Sequence, residues 1–274
     1  MVNPSTSLVA LDVDGTLIHY DQSMSPRVRK AVRAAYDAGH QLVIATGRSL
    51  LGTLPIADEL GLDDNYLVCS NGAVTIRLDP NLPEGYEIAD MVTFDPGPVV
   101  ALVREQLPDA LFAVEVVGQG ARVSGDWPEG ELSGLLDVVP FDRLIDGPTT
   151  RVVVRSPGRT PADFLEMIER IGLHGVSYAV GYTAWLDLAP EGVSKASALE
   201  KVREWLGVPL ASTIAIGDGR NDLEMLAWAA RGIAMGNASD IVLAAADEIA
   251  ADVRDDGAAQ VLEELLAQAS DRER

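Results

Sequence analysis

Two acidic motifs lie far apart in the chain, and each directly follows a short apolar run. The first contains Asp12 and Asp14, and the second contains Asp218 and Asp222. Both apolar runs are typical of buried strands, and parallel strands end at a common sheet edge, where open α/β folds bind ligands. Carboxylates gathered at such an edge cannot all stay ionised without a cation, and their oxygen atoms suit Mg²⁺. The sequence therefore predicts a magnesium site built by both motifs.

Each acidic motif has a simpler structural explanation that accounts for only part of it. An Asx turn before Gly15 explains one aspartate of the first motif but not both. An acidic helix start, favoured by the helix dipole, explains Asp222 but not Asp218. The functional interpretation covers both members of the first pair, because a carboxylate can act as nucleophile while a neighbouring acid transfers the proton.

Four further residues could bind an anion near this edge. Thr46 and Gly47 follow a predicted strand and precede a helix, where a hydroxyl and free backbone N–H groups form an anion site. Thr46 could equally be a plain helix cap. Lys195 opens a helix, where the dipole disfavours a cation. Clamping a phosphoryl group and neutralising the nucleophile's carboxylate would explain it, and a solvated surface lysine is the alternative. Asn221 offers a neutral donor or acceptor between two acids.

Strand and helix signals alternate at both ends of the chain. In the first third we expect strands at 8–13, 41–45 and 66–69 and helices at 26–38 and 50–60. In the last third we expect helices at 194–206, 221–230 and 257–268 and strands at 212–216 and 232–235. This order predicts an α/β fold with one Rossmann-like, right-handed parallel sheet shared by both ends.

The middle of the chain has a different pattern. Pro- and Gly-rich stretches separate short alternating segments at 91–94, 111–117, 150–155 and 185–188, with helical stretches at 98–106 and 161–171. This α+β composition predicts a second domain inserted into the first. The expected domains are a catalytic core of residues 1–78 and 189–274 and an inserted α+β cap of residues 79–188.

Composition excludes several classes of partner. The 274 residues include 42 acidic and 21 basic side chains, and the net charge of −21 opposes binding to nucleic acid or an anionic membrane. A hydrophobic content of 47% supports a buried core, and no apolar window could span a bilayer. The start of the chain lacks a signal-peptide pattern, and the single cysteine, Cys69, suits a reducing compartment. We expect a cytoplasmic protein with no nucleic-acid or membrane partner and no evident obligate protein partner.

The order of four motifs resembles the haloacid dehalogenase superfamily of phosphotransferases, specifically its Cof-like hydrolase branch. The motifs are DVDGT at 12–16, TGR at 46–48, GVSK at 192–195 and GDGRND at 217–222. Two further matches are SNGA at 70–73 and AMGNA at 234–238. The resemblance spans the predicted core, and the insertion lies where that branch places its cap. Ala196 departs from the usual glycine after the lysine, a difference confined to that helix start.

The resemblance implies a Mg²⁺-dependent phosphatase that acts on a small phosphorylated metabolite, such as a sugar phosphate or a cofactor phosphate. It implies that Asp12 attacks phosphorus to give an aspartyl-phosphate, and that Asp14 protonates the leaving oxygen and later activates water. The presence of Asp14 separates this chain from the dehalogenases of the superfamily, since a phosphate ester needs its leaving group protonated. These roles agree with the physical expectation that enzymes catalyse phosphoryl transfer mainly by positioning the reacting groups and neutralising their charge.

The resemblance also implies which residues bind phosphate and metal. The phosphoryl oxygens would be held by Thr46, the backbone at Gly47 and Lys195, with Asn221 contacting phosphate or orienting the ligands. Mg²⁺ would lie between the Asp12 carboxylate, the Asp14 backbone carbonyl and Asp218, with Asp222 in or behind the shell.

Several alternatives remain open at this point. A phosphomutase of the same branch would show activator-dependent isomerisation, and a dedicated sugar-phosphate phosphatase would favour one class of substrate. A non-catalytic phosphometabolite sensor would bind without turnover, although the intact Asp12 and Lys195 weigh against it. Specificity should depend on residues 79–190, where the candidates without an assigned role are Glu115, Arg122, Arg151, Tyr182 and Trp185.

Overall fold

The computed structural model describes residues 6–180 and 184–272. Tyr182, a candidate for specificity, lies outside the described residues. The strands are β1 (Leu8–Leu11), β2 (Gln41–Ala45), β3 (Tyr66–Cys69), β4 (Val74–Leu78), β5 (Tyr86–Met91), β6 (Leu111–Val116), β7 (Gly120–Val123), β8 (Leu135–Val138), β9 (Val152–Arg155), β10 (Val176–Val180), β11 (Trp185–Pro190), β12 (Thr213–Gly217), β13 (Arg231–Ala234) and β14 (Glu248–Ile249). The α-helices are α1 (Pro26–Asp37), α2 (Leu50–Leu60), α3 (Gly97–Gln106), α4 (Phe141–Leu144), α5 (Pro161–Ile171), α6 (Lys195–Leu206), α7 (Leu223–Trp228), α8 (Asp240–Leu243) and α9 (Gly257–Arg272).

The first sheet is built from both ends of the chain. Within the described residues it contains eight strands in the order β14-β13-β12-β1-β2-β3-β4-β5. Neighbours from β14 to β3 are parallel, whereas β4 pairs antiparallel with β3 and β5. The central strand β1 lies between β2 and β12, so the ends of these three strands meet at one edge. The predicted α/β fold with a parallel-sheet core is confirmed.

Helices cover both faces of the first sheet. One apolar cluster joins the sheet to α1, α2 and α9 through residues such as Val32, Ile56 and Leu262. A second cluster joins the opposite face to α6 and α7 through Leu199 and Met225. Burial on both faces explains why the central strands are almost entirely apolar.

The second sheet is formed by the inserted part of the chain. Across the described ranges it contains six strands in the order β10-β11-β9-β6-β7-β8, antiparallel except where β7 meets β8. One face packs against α3 and α5 through residues such as Val100, Phe112 and Phe164. The other face carries Glu115 and Arg151, and Glu115 contacts Ser70 beside β3. The predicted inserted α+β unit is therefore confirmed.

Several predicted boundaries differ from the structure. The strand expected at 8–13 ends at Leu11, because the chain turns out of the sheet at Gly15, where φ is 80°. The helix expected at 221–230 is a short 3₁₀ turn at Arg220–Asp222 followed by α7. The first acidic motif therefore lies after its strand, and the second ends in a short 3₁₀ turn before α7.

The first sheet extends beyond residue 78, where the sequence placed the end of the first core segment. Strand β5 pairs with β4 and forms the edge of the first sheet. Its residues are mostly exposed or half-buried, so the sequence carries no core pattern that would assign it to this sheet. The domain limits at 78 and 188 stay predictions.

Candidate active site

The predicted site residues follow strands that end at the same sheet edge. Asp12 follows β1, Thr46 follows β2 and Asp218 follows β12. The Asp12 N–H donates to the carbonyl of Ile216 (3.0 Å), and the Thr46 N–H donates to the carbonyl of Val68 (2.9 Å). These backbone bonds continue the pairing past the ends of β1 and β2 and hold Asp12 and Thr46 at the edge of the sheet.

The centre of the site is a cluster of three buried carboxylates. Carboxylate oxygens of Asp12, Asp218 and Asp222 all lie within 4.8 Å of one another. The exposed fractions of these residues are 5%, 1% and 0%. Oxygen-only donors of this charge suit a hard divalent cation such as Mg²⁺, so the residues present fit the metal that the sequence predicts.

Lys195 binds two members of this cluster. Its Nζ lies 2.6 Å from Asp12 Oδ1 and 2.6 Å from Asp222 Oδ1, and its side chain is fully buried. Burial alone would lower the pKa of Lys195, but the carboxylates of Asp12 and Asp222 outweigh it and raise that pKa. The ammonium form is therefore stable at the start of α6, where the helix dipole opposes a cation.

Asp12 stays electrostatically strained despite this contact. Burial raises the pKa of its carboxyl, and the neighbouring charge of Asp222 raises it further, while Lys195 acts in the opposite direction. One lysine does not compensate the charge of three close carboxylates. A bound divalent cation would neutralise the remaining negative charge.

Asp222 is held by its own loop as well as by Lys195. Its Oδ2 accepts the backbone N–H groups of Asp218 (3.0 Å) and Gly219 (2.8 Å), while its Oδ1 faces Lys195. Gly217 leaves room for this side chain, since a Cβ there would lie 2.5 Å from Asp222 Cγ. Both oxygens of Asp222 are thus occupied, so the residue orients Lys195 and the loop that carries Asp218.

Asp218 is positioned by residues from distant parts of the chain. Asn237 Nδ2 donates to Asp218 Oδ2 (3.1 Å) and to the carbonyl of Gly15 (2.9 Å), and the Tyr20 hydroxyl donates to the same carboxylate oxygen (3.2 Å). A Cβ on Gly15 would lie 2.2 Å from Asp218 Oδ2. The close approach of the two acidic motifs therefore requires glycine at position 15.

The Asp14 carboxylate is not part of the three-carboxylate cluster and binds Arg48. Arg48 Nε lies 2.8 Å from Asp14 Oδ2 and Nη2 lies 2.6 Å from Asp14 Oδ1, and Arg48 also donates to Gln22. Burial opposes ionisation of Asp14, but the hydrogen bonds and charge of Arg48 outweigh it and lower the Asp14 pKa. This arrangement favours the ionised form of Asp14.

The predicted phosphate-binding residues lie beside the cluster. The Thr46 side chain is buried and its Oγ1 accepts the Arg48 N–H (3.1 Å). Gly47 lies against Asn71 and Asn221, because a Cβ there would be 3.2 Å from Asn71 Oδ1 and 3.6 Å from Asn221 Nδ2. Asn221 Nδ2 donates to Asn71 Oδ1 (3.0 Å), which joins two loops of the site.

A cleft of about 370 Å³ lies between the site and the second sheet. Its lining includes Asn71, Lys195 and Asn221 from the site and Ser177, Ala179 and Asp187 from the second sheet. A small molecule in this cleft would contact both parts of the protein, which is the arrangement expected of a substrate pocket.

The structure brings the predicted residues together but adds partners that sequence reasoning left without a role. Arg48, Asn71 and Asn237 stand in the motifs TGR, SNGA and AMGNA, so the motifs were the signal that could have found them. Tyr20 carries no motif signal. Of the specificity candidates, Arg151 Nε donates to Asp187 Oδ1 (2.6 Å) on the face of the second sheet that bears Glu115.

Comparison with known proteins agrees with this fold. A family model described as haloacid dehalogenase-like hydrolase matches residues 9–89 and 142–262. The chain is similar to a 5-amino-6-(5-phospho-D-ribitylamino)uracil phosphatase of Bacillus subtilis, with 28% identity covering 93% of this chain and 94% of that protein. It is also similar to a pyridoxal phosphate phosphatase of Escherichia coli, with 30% identity covering 94% and 98%.

A solved structure shows the same likeness. A haloacid dehalogenase-like hydrolase from Bacteroides thetaiotaomicron superposes with a TM-score of 0.78 at 25% identity, covering 95% of this chain and 99% of that one. The chain therefore belongs to the haloacid dehalogenase-like hydrolases. Within that family the predicted Cof-like phosphatase assignment is confirmed. Across residues 6–180 and 184–272, every helix is too short or too polar to cross a lipid bilayer.

Proposed function

We propose that this protein is a Mg²⁺-dependent phosphatase that hydrolyses a small phosphorylated metabolite through an aspartyl-phosphate on Asp12. The observation that carries the proposal is the contact of Lys195 Nζ with both Asp12 and Asp222 inside a buried cluster of three carboxylates. A purely structural ion pair would need one carboxylate for one ammonium. The excess of buried negative charge is explained by a site that also binds a metal cation, which would in turn attract an anionic phosphoryl group.

In the first step, an Asp12 carboxylate oxygen attacks phosphorus and the bond from phosphorus to the ester oxygen breaks. Asp14, after taking up a proton from solvent, delivers it to the leaving oxygen, which departs as the alcohol. Because Arg48 lowers the pKa of Asp14 against the effect of burial, proton donation requires that the contact with Arg48 be broken first. Asp14 lies two residues from the nucleophile, so the acid and the nucleophile share one loop.

In the second step, Asp14 is the base. It removes a proton from water, the water oxygen attacks phosphorus, and the bond from phosphorus to the Asp12 oxygen breaks. Inorganic phosphate leaves and Asp12 is regenerated as a carboxylate. The pairing with Arg48 favours the ionised form of Asp14 that this step needs.

The phosphoryl oxygens are assigned to four groups of the candidate site. These are the Thr46 hydroxyl, the backbone N–H at Gly47, the Lys195 ammonium and the Asn221 amide. Lys195 supplies positive charge next to the nucleophile, and the neutral hydrogen-bond donors would orient the phosphoryl group. Fixed donors of this kind stabilise the charge that develops on the transferring group.

The metal ligands are assigned to the Asp12 carboxylate, the Asp14 backbone carbonyl and Asp218, with Asp222 supporting the shell from behind. We assign Asp222 to orienting the other ligands, because its two oxygens already accept hydrogen bonds from Lys195 and from backbone N–H groups. Bound Mg²⁺ supplies positive charge that neutralises phosphate oxygens and lowers the repulsion between Asp12 and an anionic substrate.

The substrate is assigned to small phosphorylated metabolites, either a sugar phosphate or a cofactor phosphate. Relatives named for pyridoxal phosphate and for a phosphorylated ribitylaminouracil support this class. A cleft of about 370 Å³ suits a leaving group of that size. The cytoplasmic location and the absence of nucleic-acid, membrane and obligate protein partners stay predictions from composition.

The test is release of phosphate from a panel of sugar phosphates, nucleotides, pyridoxal phosphate and p-nitrophenyl phosphate, with Mg²⁺ or with EDTA. We expect metal-dependent release by the wild type and none by Asp12→Asn. Asp109→Asn is the matched control, because Asp109 is exposed on the inserted unit. Release by Asp12→Asn at the wild-type rate would refute the nucleophile. No release from any compound, with folding and Mg²⁺ binding intact, would favour the mutase or the sensor instead.

A further inference from the structure

The loop Ser70–Gly72 beside the phosphate site has an unusual backbone. Ser70 has φ 50° and Asn71 has φ 54°, so two consecutive residues with side chains adopt the left-handed conformation. Such residues persist in this region only where the surrounding contacts hold them. At Gly72 the backbone carbonyl of Ser194 approaches so closely that a Cβ would lie 2.2 Å from it. The loop is therefore a strained element wedged against the start of α6.

This strained loop connects separate parts of the candidate site. The Ser70 N–H donates to the carbonyl of Arg48 (2.8 Å), and the Asn71 N–H donates to the carbonyl of Thr46 (3.0 Å). The Asn71 side chain accepts a hydrogen bond from Asn221 Nδ2 (3.0 Å). Thr46 and Asn221 are two of the proposed phosphate ligands, so the conformation of this loop sets their relative position.

Glu115 contacts the loop from the second sheet. Its Oε2 accepts the Ser70 hydroxyl (2.7 Å) and the Thr150 hydroxyl (2.9 Å), and the residue is 9% exposed. Within the described residues its other oxygen, Oε1, has no hydrogen-bond partner. The backbone of Glu115 is fixed in the sheet, since its N–H donates to the carbonyl of Arg151 and its carbonyl accepts the Thr149 hydroxyl.

We propose that Glu115 is a positioning residue for the phosphate site. By accepting the Ser70 hydroxyl, it holds the left-handed conformation of Ser70 and Asn71 and so keeps Asn71 directed at Asn221. The inference rests on the phosphatase function proposed above. It also means that the phosphate site is complete only while the second sheet lies against the first, because Glu115 lies on β6 of the second sheet and Ser70 in the turn that follows β3 of the first.

Matched variants separate this role from general packing. Ser70→Ala and Thr150→Ala each remove one hydroxyl from the same Glu115 oxygen, but only Ser70 belongs to the loop. We expect kcat/KM for p-nitrophenyl phosphate to fall about tenfold or more in Ser70→Ala and Glu115→Ala, and to stay within about twofold in Thr150→Ala. Glu115→Gln keeps a carbonyl acceptor and should restore most of the activity. The double variant Ser70→Ala/Glu115→Ala should lose little more than either single variant.

Amide hydrogen exchange tests the contact without relying on turnover. The N–H groups of Ser70 and Asn71 should exchange faster in Glu115→Ala and in Ser70→Ala, and at the wild-type rate in Thr150→Ala. Unchanged exchange in Glu115→Ala overturns the inference. If the wild type releases no phosphate but the exchange pattern appears, the phosphatase proposal fails and the positioning contact stands. If Glu115→Ala does not fold, the exchange rates of Ser70→Ala are compared with those of Thr150→Ala instead, and equal rates in the two variants overturn the inference.

Substrate dependence separates positioning from direct contact with a leaving group. Positioning predicts the same loss of kcat/KM for p-nitrophenyl phosphate, pyridoxal phosphate and a sugar phosphate, together with weaker inhibition by inorganic phosphate. If the loss of kcat/KM varied with the leaving group while inhibition by inorganic phosphate stayed unchanged, Glu115 would instead contact the leaving group of the substrate. That result would overturn the assignment.

Discussion

Removal of the buried ammonium at position 195 should destabilise the protein strongly. Lys195→Met keeps most of the side-chain length but leaves Asp12 and Asp222 facing each other without a cation. At an effective dielectric constant of about 20, each contact of 2.6 Å corresponds to about 6 kcal/mol of Coulomb attraction. Desolvation of the ions offsets much of this attraction, and breaking a buried pair typically costs about 3–5 kcal/mol. We therefore expect the free energy of unfolding to fall by about 3–5 kcal/mol.

The matched control is Lys201→Met in the same helix. Lys201 Nζ lies 2.8 Å from Asp90 Oδ2, a distance similar to those of Lys195, but its side chain is 46% exposed. Water screens this pair, so we expect a loss of about 0–1 kcal/mol. Comparison of the two variants separates the effect of burial from the effect of removing a lysine from α6.

Urea unfolding without added metal, followed by circular dichroism at pH 7.5, measures both losses. A second variant, Lys195→Met/Asp222→Asn, removes one of the three carboxylate charges that remain without a nearby lysine and should recover part of the lost stability. It also keeps the test possible if the single variant does not fold. A loss for Lys195→Met no larger than that for Lys201→Met would refute the reasoning that a buried, doubly paired ammonium holds this site together.

Three further predictions concern the geometry, the metal and the thiol. Gly15→Ala should lower the free energy of unfolding by about 2–4 kcal/mol, because φ is 80° and the new Cβ would collide with the Asp218 side chain. The control Gly39→Ala has φ 89° but open space around the Cβ, so it should cost about 1–2 kcal/mol. Equal losses would contradict the close approach of Gly15 to Asp218. Asp218→Asn should weaken Mg²⁺ binding, measured by calorimetry, at least about tenfold, while Asp109→Asn keeps it. Burial raises the pKa of Cys69 to about 12, so a disulfide reagent at pH 8 should label it far more slowly in the native protein than in urea. Because the folded pKa lies above the unfolded value of about 8.5, this thiol should support stability fully below that value and progressively less as the pH rises toward 12. Equal labelling rates would show that Cys69 is not buried.

Much of the fold could be predicted from local patterns. The apolar runs before Asp12 and Asp218 are short and continuous, which marks strands buried on both faces. Their alternation with helices predicted a parallel sheet, and the glycines of the acidic motifs predicted turns at the strand ends. Strand β5 escaped prediction, because an exposed edge strand leaves no such pattern.

The candidate site could be predicted as a set of residues but not as a set of contacts. The motifs placed Lys195 near phosphate and Asp14 near the nucleophile. They indicated that Lys195 neutralises the nucleophile's carboxylate, but not that it also binds Asp222 or that the Asp14 carboxylate binds Arg48. These contacts join residues whose proximity depends on the order of strands in the sheet, and that order is not a local property.

The sequence by itself determined the chemistry available to this protein and the edge at which it gathers. Residue types and their spacing after apolar runs are enough for that, since strand ends and turns obey local rules. Only the tertiary structure decided which groups pair, and in particular that Glu115 from the inserted unit meets Ser70. That contact depends on how two separately built sheets pack together, and the free energy of such packing is distributed over many side chains rather than encoded in one motif.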